Sequence, residues 1–212
     1  MNGILDLLNS DSGKQLINGS SKQLGINKAN AASALGAAIP LILGAMQNNA
    51  SSPNGAKGLL GALGNSRHNG SIMDNLEGIL GGDKIDDDVL ADGGNILGHI
   101  FGGQQENAAN AVGKTSGIDL SSVMNIMKVA APFVMGYLGK NAMKNGVSDQ
   151  NGLSGLLGGL LGDDNDNQKE LAHKLQDFDN NDFSVDDIAG LMKGDSDSKT
   201  GGFFNSLKEL FS

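Results

Sequence analysis

Apolar residues recur along this chain three and four positions apart, the spacing of one helix face, and glycine-containing corners interrupt them. Leu35, Ile39, Ile42, Leu43 and Met46 form one series, and Met124, Met127, Ala131, Val134, Met135 and Leu138 form a second. Each predicts a central helix, the most apolar of its neighbourhood. Pro40 and Pro132 fall inside these helices, each removing one backbone donor, and predict kinks that neighbouring helices accommodate. Ahead of each series the chain spells a similar corner. Lys14 to Leu24 reads as a helix stopped by Gly25, which can take the left-handed conformation just past a helix end. Ile26 follows as an apolar contact and Asn27 as the N-cap of the next helix. Gly117, Ile118 and Asp119 spell the second corner.

A constant offset of 92 relates the two patterns. Residues 4 to 46 align without a gap on residues 96 to 138, and nine of the 43 pairs are identical, including Gly25 with Gly117, Pro40 with Pro132 and Gly44 with Gly136. Glycine-rich segments follow, with Gly55, Gly58, Gly61 and Gly64 in the first and Gly152, Gly155 and Gly158 in the second, each beside a leucine face. A third correspondence pairs residues 69–80 with 181–192, a polar turn leading into a short apolar helix. These patterns predict an all-α fold built as a tandem duplicated multihelical repeat. Its parts are repeat one at 1–80, an acidic connector at 81–94, repeat two at 95–192 with an acidic polar turn, and a C-terminal amphipathic helix at 193–212. The glycine ridges, and the row Ala32, Gly36, Pro40 and Gly44, are expected to let helices approach closely.

Composition narrows the chemistry. The 212 residues include no Cys and no Trp, one Tyr, seven Phe and 33 Gly beside three Pro. Without cysteine there is no disulfide, thiolate metal site or cysteine nucleophile, which fits a reducing compartment. Met1 to Gly13 has no basic residue and does not read as a secretion signal, so the cytoplasm is expected. Net charge is −9, and 18 of the 24 acids lie in Asp74–Asp92 and Asp163–Asp197, where solvated loop is the expectation. Ala29 to Met46 is 18 residues without charge, at the lower edge of a spanning length, but its counterpart is interrupted by Lys128 and Lys140. A buried core helix, with no transmembrane helix, is therefore expected.

Several motifs suggest specific chemistry. Gly113-Lys114-Thr115 looks like the end of a phosphate-binding loop, but position 108 is Ala and no strand precedes it, so Lys114 is expected to be a solvated helix residue. The corner from Lys14 to Leu43 resembles a DNA-binding helix-turn-helix with Asn27, Lys28 and Asn30 at the start of the reading helix. Asp119, Leu120 and Ser122 hold those places in the second corner and the net charge opposes phosphate contact, so nucleic acid is not an expected partner. Asp177, Asp179, Asn181 and Asp182, with Asp186, are candidate Ca²⁺ ligands, because that ion takes several converging oxygens; a capped polar turn is the alternative. His68, His99 and His173 show no zinc-like spacing, and His99 in an apolar segment reads as a core or boundary residue. Phe203, Phe204, Leu207, Leu210 and Phe211 form a stripe expected to dock on the protein's own core rather than on a membrane or a partner.

The stretches His68 to Leu76, Gly94 to Gly102, Lys114 to Asp119 and Ala130 to Gly136 together resemble the YidB-like family of bacterial proteins, a domain of unknown function numbered nine hundred and thirty-seven, and its Bacteroidetes-type members in particular. The resemblance covers most of residues 1 to 192. It implies a multihelical fold and a bacterial source, with no assigned activity, cofactor or catalytic residue. Members often carry a more regular Asp-rich turn near the C-terminus, from which Asp182 and Phe183 depart, and this counts against a cation there. The expectation is a non-enzymatic helical scaffold or interaction protein of unknown partner and oligomeric state. The alternatives are a calcium-binding or calcium-stabilised protein, and helix-turn-helix nucleic-acid binding.

Overall fold

The structure is a computed structural model that describes residues 4–65, 68, 70–82 and 84–161. Among these, ten α-helices and no strand are formed: α1 Ile4–Asn9, α2 Asp11–Leu24, α3 Lys28–Ala50, α4 Pro53–Leu63, α5 Ser71–Asp74, α6 Leu76–Leu80, α7 Asp87–Phe101, α8 Gln105–Ser116, α9 Leu120–Asn145 and α10 Gln150–Leu161. The all-α expectation holds.

Local chemistry sets most of the boundaries. The Ser10 hydroxyl accepts from the Gly13 N–H at 3.0 Å and starts α2. Gly25 ends α2 in the left-handed region, at φ 64° and ψ 25°, and its N–H reaches back to the Ser21 carbonyl. Asn27 then caps α3 by accepting from the Asn30 N–H at 2.7 Å. The second corner uses Gly117, at φ 70° and ψ 25°, bonded back to the Gly113 carbonyl. There Asp119 caps α9 by accepting from the Ser122 N–H at 3.0 Å. Ser52 caps α4 with Pro53 at its first position, where a missing N–H costs nothing. Asp149 accepts from the Gly152 N–H at 2.8 Å in the first turn of α10.

The two long helices run through one continuous apolar core that draws on residues from Ile4 to Leu160. Leu35, Ile39, Ile42, Leu43 and Met46 of α3 are fully buried, as are Ile126, Met127, Phe133, Val134 and Leu138 of α9. Around α3 pack α1, α2, α4, α7, α8, α9 and α10, while α9 takes α5 and α7 on its own flank. Helix α10 crosses between the halves: it lies on α3, and the Gln150 side chain donates to the carbonyls of Ala50 and Ser51 at 3.0 and 2.9 Å. Those carbonyls at the end of α3 have no partner within the helix, so a residue 100 positions later supplies it. The α8–α9 corner turns through 109°.

Two expectations need correction. Half of the stretch 81–94, expected as connector, is helix from Asp87 onward. Asp86 accepts from the Asp88 N–H at 2.8 Å, and the acids at the start of α7 suit the positive end of its dipole, so a charge run that resembles solvated loop begins a helix instead. The glycine ridge of α4 mediates a close approach only at its first member, Gly55, where a Cβ would fall on the Asn49 carbonyl of α3. Gly58 and Gly61 are exposed, and a Cβ on either would meet nothing within 4 Å, as is also true of Gly155 in α10. Close approach also occurs elsewhere. A Cβ on Gly93 of α7 would fall on the Lys128 carbonyl of α9, and one on Gly139 of α9 would fall on the His68 carbonyl.

Candidate functional site

A cleft of about 560 Å³ opens between α5–α6 and the first half of α7, with Pro132 of α9 among its lining residues. Asp86, Asp88, Asp92, Asn75, Asn95 and Ser71 give it a polar, acidic wall, and Ile72, Ile79 and Val89 an apolar one. Helix geometry places the acids: Asp88 and Asp92 are one turn apart on α7, and Asp86 is that helix's N-cap. On α9, Gly136 and Gly139 lack the side chains that would fill the space taken by Ile72 and by the His68 backbone, so His68 and Ile72 seat directly on that helix.

His68 lies between α4 and α5, buried, with its side chain 9% exposed. Its Nδ1 stands 3.0 Å from the Ala62 carbonyl at the end of α4, and its Nε2 stands 3.1 Å from Oδ2 of Asp92 on α7. Both partners are acceptors, so the ring satisfies both only when each nitrogen carries a hydrogen. Asp92 thus belongs both to the cleft wall and to the bridge that ties α4 to α7.

Two ionisable groups outside this bridge are displaced from their ordinary values. The hydrogen bond from Ser122 holds the Asp119 carboxyl below its usual value. The hydrogen bond to Asp87, reinforced by that residue's charge, raises Lys84 above its own. Both partners of the latter pair are about three-quarters exposed, where such pairs contribute little to stability.

The residues singled out in the sequence fall in scattered places. Gly113-Lys114-Thr115 occupies the last turn of α8, the negative end of the helix dipole, whereas a phosphate loop needs these residues at a helix start. Lys114 is exposed, as expected of a solvated helix residue. Asn27 and Lys28 are exposed and Asn30 half-buried, but Ala31, Ala32, Ala34 and Leu35 are already buried. A helix that enters a DNA groove needs an exposed face over several turns, and α3 turns into the core after the first. His99 is exposed on α7 rather than in the core, and its carbonyl accepts from the Asn49 side chain at 3.1 Å. The candidate Ca²⁺ ligands Asp177, Asp179, Asn181, Asp182 and Asp186, with His173 and the terminal Phe stripe, lie outside the described residues. Among the described residues no three His, Asp or Glu side chains converge as a metal site would require. Helix α3 has the length and composition to cross a membrane, but most of its apolar stretch is buried inside the protein, so there is no clear transmembrane helix among the described residues.

The bridge and the cleft were not anticipated. His68 and Asp92 are 24 positions apart with two helices, α5 and α6, between them, and neither stands in a catalytic or metal-binding motif. The signal present in the sequence was the polar turn His68 to Ser71 ahead of an apolar pair of short helices.

A family model described as a bacterial protein of unknown function, DUF937, matches residues 6–141, from α1 into the last turns of α9. The chain belongs to this family. The YidB-like resemblance agrees with it, and the DUF937 match takes in both corners, the cleft and the His68–Asp92 bridge, leaving α10 beyond its end. No curated protein and no solved structure matches the chain.

Proposed function

We propose that this DUF937 protein is a non-enzymatic helical scaffold or interaction protein of the bacterial cytoplasm. The observation that carries the reading is the engagement of His68. Ser71 and Asp92 both line the cleft and His68 bonds to Asp92, a set of residue types that invites a catalytic reading. A general base needs a ring nitrogen within hydrogen-bond reach of the proton it removes. Here one nitrogen faces the Ala62 carbonyl and the other the Asp92 carboxylate, which makes the group a structural tie between helices. The same proposal takes the two corners as copies of one ancestral unit, which their matched backbone angles and caps support.

Recovery of the tagged chain from its native cell after crosslinking, followed by reciprocal recovery with the partner tagged, tests the scaffold reading. A specific partner found in both directions is the expected result. Turnover of a substrate that is abolished by both Ser71→Ala and Asp92→Asn in folded protein would overturn it.

A further inference from the structure

We propose that the cleft between α5–α6 and α7 is a docking site for a basic segment of a partner protein, one that sets an arginine or lysine beside an apolar side chain. The inference deepens the interaction-protein reading, on which it rests, by giving the partner's chemistry. Asp88, Asp92 and Asn95 succeed one another on α7 at spacings of four and three residues, which sets them along one face of that helix. Ile72 of α5 and Ile79 of α6 line the same cleft, and Val89 and Pro132 add to its apolar surface. Its volume of about 560 Å³ accommodates side chains of a partner rather than a single ion.

Charge decides the kind of partner. Among the described residues no Lys or Arg pairs with Asp86, Asp88 or Asp92, and the partner of Asp92 is the His68 ring. Lys128 lays its stem beside Gly94 of α7 without joining these acids. The helices that form the cleft also carry Asp74, Glu77 and Asp87, and the nearby Lys84 is taken up by Asp87. This excess of negative charge repels phosphate, which turns away nucleic acid and anionic lipid. A metal ion does not fit either, because among the described residues no three such side chains converge. Long basic side chains do fit: the charged end reaches the carboxylates while the stem lies on the isoleucines. Arginine adds a fork of donors that matches a carboxylate. Charge complementarity of this kind steers encounter and fixes register.

NMR titration of the full chain with three short peptides tests the site: one alternating leucine and arginine, one alternating leucine and glutamate, and one alternating glycine and arginine. The leucine-arginine peptide should give saturable shifts at the amides of Ile72, Asn75, Val89, Asp92 and Asn95, and its binding should weaken as salt is raised. The glutamate peptide should leave those amides unmoved, and the glycine peptide should bind about tenfold more weakly for want of the apolar contact. Asp88→Arg, at an exposed position, should weaken the leucine-arginine peptide about tenfold. Asn95→Arg, exposed on the same face, replaces it if that variant does not fold. No response, the same response to the glutamate peptide, or unchanged affinity in the folded variant overturns the proposal. Equal binding of free arginine overturns it in favour of a small-molecule site, and shifts of the same amides on dilution of the chain alone overturn it in favour of a second copy. Reciprocal recovery of a partner without a peptide response removes this site and leaves the interaction-protein reading standing; turnover abolished by Ser71→Ala and Asp92→Asn, by contrast, removes the reading itself.

Discussion

At the α2–α3 corner Gly25 turns the chain at φ 64° and ψ 25° and Asn27 caps α3; at the α8–α9 corner, 92 residues later, Gly117 does so at φ 70° and ψ 25° and Asp119 caps α9. The backbones agree, and the surroundings of the two long helices do not. The place of Gly139 on α9 is held on α3 by Gln47, and only α9 receives the segment that carries His68. Helix α3 is instead wrapped by α2, α8, α9 and α10 and is closed at its end by Gln150. Local signals therefore shape both corners alike, while single residues along the long helices decide what each one carries.

Exchanging the residues that differ gives the largest expected effect. Gly139→Gln, which installs the residue found on α3, drives a side chain into the His68 backbone and should cost about 3 kcal/mol by denaturant unfolding. The reverse exchange, Gln47→Gly, introduces only a helix-interior glycine and should cost about 1 kcal/mol. Equal losses would remove the asymmetry claimed for the two helices.

The corner glycines should behave alike. A Cβ at Gly25 or Gly117 would meet nothing within 4 Å, so alanine at either pays only for the left-handed backbone, about 1–2 kcal/mol in each case. Matching shifts in urea midpoint check this, and a cost at one corner alone would break the equivalence.

The caps separate the corners by pH. Asn27→Ala should cost about 1 kcal/mol at any pH, because its amide does not titrate. The Asp119 carboxyl is held below its ordinary value, so its contribution is complete above the usual carboxylate range and is lost as pH falls through its lowered folded value. Thermal melts at pH 7 and pH 3 should therefore show the destabilisation by Asp119→Ala shrinking in acid, and that by Asn27→Ala holding.

The smallest effect concerns Ser21, whose hydroxyl donates to the Ile26 carbonyl at 2.6 Å, and its counterpart Gly113. A Cβ at Gly113 would stand 3.1 Å from the Ile118 carbonyl, a fit that the first corner already accommodates. Gly113→Ser should raise stability by about 0.5 kcal/mol, measured as a small upward shift in melting temperature.

What was legible in the sequence follows the range of the interactions. Gly25, Asn27, Gly117 and Asp119 act on neighbours within four residues, so their roles could be read from the chain alone. The apolar series of α3 and α9 were legible because burial on several sides leaves a dense periodic record. The seat on α9 was not, because a glycine inside a helix does not say whether a backbone or open space lies opposite. Gly58 and Gly139 look alike in sequence, yet one faces nothing and the other faces His68. The bridge was hidden for a related reason: it depends on α7, whose acidic beginning reads as loop until its cap at Asp86 is seen.

Gln150 closing the end of α3 across 100 positions has a consequence for synthesis. At the roughly 5–20 residues per second of translation, about 5–20 s separate the completion of α3 from the arrival of the residue that seals it. During that interval the most apolar helix of the first half waits without α8, α9 and α10, the partners that enclose it. Until the later half has emerged, the nascent amino-terminal portion therefore leaves exposed the apolar surface that those helices cover in the finished fold.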